Sequence, residues 1–239
     1  MSTPLFLPKV CFVIPAYNEA QMIESVLTDL SNSVKTKKYT YEIVVVDDGS
    51  SDSTAALARK AGAKVIQHIL NSGAGGATAT GLSYANQQHF DYAVTMDADG
   101  QHSIEDVLNG IDEIRKRKCD LLIGSRLVNK DGMSRVKILG NKGLSFVTFI
   151  LFGINITDSQ SGLRVFSQNA LSSLKWKTRG YEFCSEMLWR AKQQNLAIEE
   201  YPIKAIYSDY SKAKGQNNWN AFNIVSSLVW RRISELMHE

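Results

Sequence analysis

Two aspartates one residue apart, Asp97 and Asp99, sit in the run Met96-Asp97-Ala98-Asp99-Gly100-Gln101-His102. At the end of an extended strand, positions i and i+2 point to the same side. Carboxylates placed that way repel unless a cation lies between them or one is protonated. Hard divalent ions such as Mg2+ or Mn2+ take oxygen ligands and bridge readily to phosphate oxygens. A metal held by Asp97 and Asp99, with Gln101 as a third oxygen, would neutralise charge developing on a departing diphosphate. The plain alternative is a solvated turn. His102 is read as a loop histidine rather than a ligand, and His68, His89 and His238 show no ligand spacing.

Two further segments end in groups of the same kind. The first is Pro15-Ala16-Tyr17-Asn18-Glu19, the second Asp47-Asp48-Gly49-Ser50-Ser51-Asp52. Either alone reads as an ordinary turn; all three at successive strand ends of one sheet would converge on a ligand. A fourth segment, Asn71-Ser72-Gly73-Ala74-Gly75-Gly76-Ala77, opens a helix-like stretch, where backbone N–H groups of Gly73 and Gly75 would meet phosphate. It nearly matches the dinucleotide fingerprint. The third glycine position holds Thr78, however, and the segment follows the third strand, not the first.

These loops need a scaffold. Short apolar runs at Val10–Pro15, Glu42–Asp47, Lys64–Gln67, Tyr92–Met96 and Leu121–Gly124 predict strands buried on both faces of a parallel sheet. Helical spacing places Met22, Ile23, Val26, Leu27 and Leu30 on one stripe of a helix over 19–32. Further helices are expected at 53–61 and, after Ser103, at 104–117. The alternation implies an α/β fold, a mostly parallel sheet flanked by helices with right-handed crossovers, and ligands beyond the carboxyl ends of its strands. After Gly124 the alternation weakens. A basic loop, an apolar helix at Gly143–Ile156, a strand at Leu163–Phe166 and an amphipathic tail helix at Ala221–Met237 are expected. With no linker or repeat, residues 1–239 read as one domain with an acceptor-side second half.

The formal charge of +3 over 239 residues gives no case for nucleic-acid binding. Between Arg115 and Lys142, however, nine basic residues face only Asp120 and Asp131. That stretch is either a solvated face or a surface for anionic headgroups or phosphate. Cys11, Cys119 and Cys184 are widely spaced with no C-x-x-C pair, which suits a reducing cytoplasm. The N-terminus lacks a charged n-region and a long apolar run, and Ser2 excludes myristoylation. The run Gly143–Ile156, at 14 residues, is short of a bilayer span.

Taken in order from about residue 10 to 215, VIPAYNE, VVVDDGSSDST, NSGAGGA, MDADGQH, GSR and DSQSGLRVF resemble the family 2 glycosyltransferases, above all the dolichyl- and polyprenyl-phosphate sugar synthases. The resemblance implies the GT-A fold. The nucleotide-sugar half would be about 8–125 and the acceptor half about 126–239. Pro15, Tyr17, Asn18 and Glu19 would border base and ribose, Asp47 would contact the base, and Asp48, Gly73, Gly75 and Ala98 would complete the nucleotide site. Asp97 and Asp99 would be the DxD pair carrying Mg2+ or Mn2+, joined by Gln101. Arg126 and Arg135 would grip an acceptor phosphate. In Asp158-x-x-Ser161-Gly162-Leu163-Arg164, leucine replaces the usual phenylalanine. Where the family carries a basic G-x-S-K segment, this chain reads SDYSKAKGQ, with Lys212 and Lys214 as the phosphate contacts.

The expected activity is inverting transfer of a hexose, preferably from a UDP-sugar, to a polyprenyl or dolichyl phosphate. A phosphate oxygen is anionic at neutral pH and needs no strong base. Were the acceptor a glycan hydroxyl, a carboxylate near Glu182 or Glu186 would serve. The enzyme would sit at the cytoplasmic face of a membrane, docked through the Arg115–Lys142 region and the apolar helix, assisted by the tail helix, or held by a small membrane subunit. Outside this class stand an NAD(P) oxidoreductase and a non-catalytic nucleotide-sugar binder.

Overall fold

Five consecutive residues of the first strand, Val10 to Ile14, are wholly buried, as expected for a strand covered on both faces. Alternation divides them between two cores. Val10, Phe12 and Ile14 pack with Ile23, Leu27, Val45, Val94 and Ile111. Cys11 and Val13 pack with Val44, Val46, Ala77, Phe90, Phe183 and Leu188. The computed structural model describes residues 7–127, 135–204 and 206, with the backbone alone at 135–137. Its elements run β1 (Lys9–Ala16), α1 (Ile23–Val34), β2 (Thr40–Asp47), α2 (Thr54–Lys60), β3 (Lys64–Gln67), α3 (Ala74–Gln87) and β4 (Tyr92–Thr95). They continue with α4 (Ile104–Arg117), β5 (Leu121–Ser125), α5 (Arg135–Phe152), β6 (Arg164–Ser167), α6 (Gln168–Ser173), α7 (Phe183–Gln193) and β7 (Ile198–Pro202).

The strands form one sheet in the order β3-β2-β1-β4-β6-β5-β7. β1 pairs in parallel with β2 and β4, β2 with β3, and β5 with β7. β6 is antiparallel to both β4 and β5. Every strand but β6 therefore ends at one edge of the sheet, and β6 begins there. The order reverses between β1 and β4, so the loops after those strands flank the crevice where such sheets bind ligands.

α4 shows how local chemistry sets an element's ends. Ser103 precedes it in extended conformation, Glu105 and Asp106 occupy its first turn, and Arg115, Lys116 and Arg117 its last. Acids at the amino end and bases at the carboxyl end both favour the helix dipole. Lys118 then closes the helix in the left-handed region at φ 54°.

The helix expected at Gly143–Ile156 lies instead at Arg135–Phe152. The polar residues before the apolar run belong to the same helix, and Gly153 ends it at φ +64°. β7 was not foreseen: Ile198-Glu199-Glu200-Tyr201-Pro202 carries two acids and offers little apolar pattern. β6 lies one residue later than the expected strand.

Candidate active site

The acid pair stands at the carboxyl end of β4, in the crevice beside β1. The Asp97 side chain is half-exposed and accepts a hydrogen bond from His102 Nε2 at 3.0 Å. Gly162, just before β6, backs onto the Asp97 carboxyl group so closely that a β-carbon there would collide with it. Burial raises the Asp97 carboxyl, but the His102 bond, then the charges of His102, Arg126 and Arg164, hold it below the usual range. Asp99 moves the other way, raised by burial and by the charge of Asp97. Its Oδ1 accepts the Gln101 N–H at 3.0 Å, and the Gln101 side-chain amide donates to Oδ2. Gln101 thus secures Asp99 with its nitrogens. Ala98 between the acids is buried.

The loops after β1 and β2 are fastened to each other. Asn18, at φ 53°, gives its N–H to Ser50 Oγ at 2.9 Å and accepts from the Ser51 N–H at 2.9 Å. The Glu19 N–H donates to Thr54 Oγ1 at 2.8 Å. Asn18 therefore works at least partly as a loop fastener. Pro15 lies in β1 opposite Val46, and Tyr17 is exposed at the rim. Asp47 is wholly buried. One oxygen accepts the Ser50 N–H at 3.3 Å, and the other, Oδ2, has no hydrogen-bond partner among the described residues.

Asp48 and the glycine loop are bonded to each other. Asp48 accepts from Ser72 N–H at 2.9 Å, Ser72 Oγ at 2.6 Å and Gly73 N–H at 2.8 Å, and its Oδ1 lies 2.7 Å from His68 Nδ1. Burial raises this carboxyl, but the bonds from Ser72, His68 and Gly73 outweigh it and keep it low. The Gly75 N–H goes to the Arg179 carbonyl at 2.7 Å. Both amides thus have partners within the protein. The loop serves as a dock for a strap running from Trp176 to Tyr181, where Trp176 Nε1 donates to the Gly75 carbonyl at 3.1 Å. At Gly73 (φ +86°) and Gly75 a β-carbon would strike the strap's backbone.

Glu186, expected as a base for a hydroxyl acceptor, is wholly buried. It accepts the N–H groups of Lys177 and Thr178 and the Thr178 hydroxyl, the last at 2.6 Å, and so holds the strap from behind. Arg126 meets the buried Asp158 side-on, Nε to Oδ2 at 2.7 Å and Nη2 to Oδ1 at 2.9 Å. Arg164 is buried without a carboxylate hydrogen bond among the described residues; it bonds the Ser159 carbonyl at 2.9 Å and lies over the Phe183 ring.

The basic stretch divides. Arg115 to Lys118 lie at the carboxyl end of α4, at the opposite edge of the sheet from the acids, and Arg117 pairs with Glu113 and Glu199. Along α5, Lys142 accompanies the exposed Leu139, Phe146, Phe149 and Ile150. No helix among the described residues is long and apolar enough to cross a membrane. Arg135 opens α5. Lys212, Lys214 and the tail helix lie outside the described residues. Sequence reasoning missed His102 as a partner of Asp97, although its place five residues after that acid was visible. No spacing signal pointed to the Asp158 carboxylate or to Gly162 behind Asp97.

An open sheet of this order, flanked by helices, is the GT-A fold, and solved structures share it. Mannosyl-3-phosphoglycerate synthase from Rubrobacter xylanophilus superposes with a TM-score of 0.71 at 19% identity, over 97% of this chain and 74% of that one. Glucosyl-3-phosphoglycerate synthase from Mycobacterium tuberculosis, solved with Mn2+, uridine diphosphate and phosphoglyceric acid, gives 0.71 at 18% identity, over 93% and 76%. The glycosyl transferase family 2 model matches residues 11–175, and the chain belongs to that family. It is 40% identical, over 95% of its length and 98% of the relative's, to the UDP-N-acetylglucosamine–dolichyl-phosphate N-acetylglucosaminyltransferase of Methanococcus voltae. To the dolichyl-phosphate beta-glucosyltransferase of Saccharomyces cerevisiae it is 33% identical, over 84% and 67%.

Proposed function

We propose that this glycosyltransferase moves a hexose from a UDP-sugar to a dolichyl or polyprenyl phosphate, with inversion, at the cytoplasmic face of a membrane. The observation that carries the reading is the acid pair at the β1/β4 crevice, two strands from an unpartnered buried oxygen of Asp47. That oxygen suits an N–H donor of a pyrimidine ring, because a buried acceptor without a partner costs about 1–3 kcal/mol that a ligand would recover. Tyr17 and Glu19 border the same crevice. The names of the Methanococcus and yeast relatives support a lipid-phosphate acceptor.

Asp97 and Asp99 fit a divalent ion. They are hard oxygen donors close enough for the charge of one to raise the other, and a cation relieves that repulsion. Among the described residues no three His, Cys, Asp or Glu side chains form a metal cage, so such an ion would keep positions for diphosphate oxygens. Mg2+ or Mn2+ bound there would offset charge developing on the leaving diphosphate. The chain's residues do the rest by positioning. His102 and Gln101 hold the two acids, Asp158 holds Arg126, and Arg126 and Arg135 would grip the acceptor phosphate. The phosphate oxygen attacks the anomeric carbon from the side opposite the diphosphate without help from a base. Glu186, locked onto the strap, is not needed as one.

Residues of about 8–125 would hold the donor and those of about 126–239 the acceptor. The exposed apolar stripe of α5, with Lys142 beside it, would rest on the bilayer surface, alone or beside a small membrane subunit. The test offers UDP- and GDP-sugars with Mn2+ to polyprenyl phosphate in vesicles, reading lipid-linked sugar and free nucleotide. Lipid-linked product from a UDP-sugar is the expected result. Nucleotide release without lipid product sinks the acceptor assignment.

A further inference from the structure

We propose that His102 is a positioning residue for the acid pair: its Nε2–H, donated to Asp97, sets the direction in which that carboxylate meets a divalent cation. The inference rests on the reading of Asp97 and Asp99 as metal ligands, and it adds a third residue that touches no substrate.

The imidazole is almost fully buried, 4% exposed, while the Asp97 side chain it holds is half-exposed. The 3.0 Å bond therefore runs from the interior to a group at the surface of the crevice. A carboxylate oxygen only accepts, so Nε2 carries the hydrogen of this bond. Nδ1 is buried and has no partner among the described residues. Packing alone seldom leaves a buried ring nitrogen unsatisfied, and such exceptions concentrate where a side chain has another task. Among the described residues, the one hydrogen bond of this ring is to Asp97.

The ring is well held. The peptide before it is pinned on both sides, since the Gln101 N–H goes to Asp99 and the Gln101 carbonyl accepts the Ile206 N–H at 2.9 Å. Gly162 lies against both oxygens of the Asp97 carboxyl group, so that carboxylate is held by a glycine wall as well as by an imidazole donor. The two acids thus have separate holders, Gln101 for Asp99 and His102 for Asp97. Hydrogen bonds to metal-ligating groups fix their orientation, and losing one typically weakens metal binding ~10–100-fold. His102 is not itself a ligand in this arrangement, because Nε2 is engaged by Asp97 and Nδ1 is enclosed.

The test measures Mn2+ affinity of the whole chain in the presence of UDP, by electron paramagnetic resonance, for the parent, His102→Leu and His102→Gln. Melting temperature is recorded alongside. The leucine variant should bind Mn2+ ~10–100-fold more weakly while remaining folded, and excess Mn2+ should restore its turnover with little change in KM for the nucleotide sugar. Glutamine, whose side-chain amide can donate where Nε2 does, should regain most of the affinity. If His102→Leu does not fold, His102→Asn, polar but too short to reach Asp97, takes its place. Parent-like Mn2+ affinity in the folded leucine or asparagine variant overturns the inference. So does a folded glutamine variant as weak as leucine. If the parent itself fails to bind Mn2+ with UDP, the metal reading of Asp97 and Asp99 falls, and this inference falls with it.

Discussion

The amide of Gly75 donates to the carbonyl of Arg179 at 2.7 Å, joining the first turn of α3 to the strap that precedes α7. A loop that reads in sequence as a phosphate cradle is thereby spent inside the protein. The bond also ties the start of α3 to a segment more than 100 residues later. Gly73→Ala places a side chain at φ +86° against the Arg179 carbonyl. It should cost ~1–3 kcal/mol of stability, read by denaturant unfolding. Unchanged stability would mean the strap is not docked as described.

Removing the acid pair tests the donor site directly. Asp99→Ala should lower turnover on the order of 100-fold or more, since a metal's stabilisation of developing charge is worth several kcal/mol. Full activity of this variant in the presence of a chelator would end the metal assignment.

Asp48 predicts a pH dependence. Its folded carboxyl lies below its ordinary value, so its contribution is complete above that value and is lost as pH falls through the lowered one. Asp48→Asn should therefore be less stable than the parent at neutral pH by ~1–3 kcal/mol, because an amide donor then faces Ser72 and Gly73. The gap should narrow below about pH 4, where the unfolded parent's carboxyl takes up a proton, and close as the folded one does so at lower pH. Thermal melts of both proteins across that range check the sign.

Glu186 distinguishes architecture from catalysis. Glu186→Gln should melt earlier, because its amide meets the N–H groups of Lys177 and Thr178, yet turn over normally per folded molecule. Loss of turnover without loss of stability would return Glu186 to the role of a base.

The three cysteines are all buried. Burial pushes the Cys11 thiol up to about 12 and the Cys119 thiol up to about 11. A thiol reacts as its thiolate, so native protein should react with a disulfide reagent far more slowly than protein in guanidinium. Rapid labelling of the native chain would contradict the packing around β1.

The acid pair, the strand ends and the first five strands were legible because each leaves a local trace: an apolar run, a turn cluster, a spacing of two. What stayed hidden is non-local. Nothing near Glu199 and Glu200 announces a strand, since β7 exists through its pairing with β5. Nothing near Gly75 announces Arg179. The GSR arginine was visible as a cation, but the buried Asp158 that neutralises it is 32 residues away and was read only as part of a motif.

The single reversed strand has a consequence for how this protein could be divided or recombined. β6 is contributed by the second half of the chain yet lies between β4 and β5, both from the first. Cutting near residue 126 would leave β5 with no neighbour from its own half and β4 with a bare edge, an invitation to aggregate. The two halves of the chain are thus interleaved rather than appended. A chimera that exchanges the second half between relatives must carry β6 across with its new partners, and an isolated first half is not a module that evolution or a cloner can lift out intact.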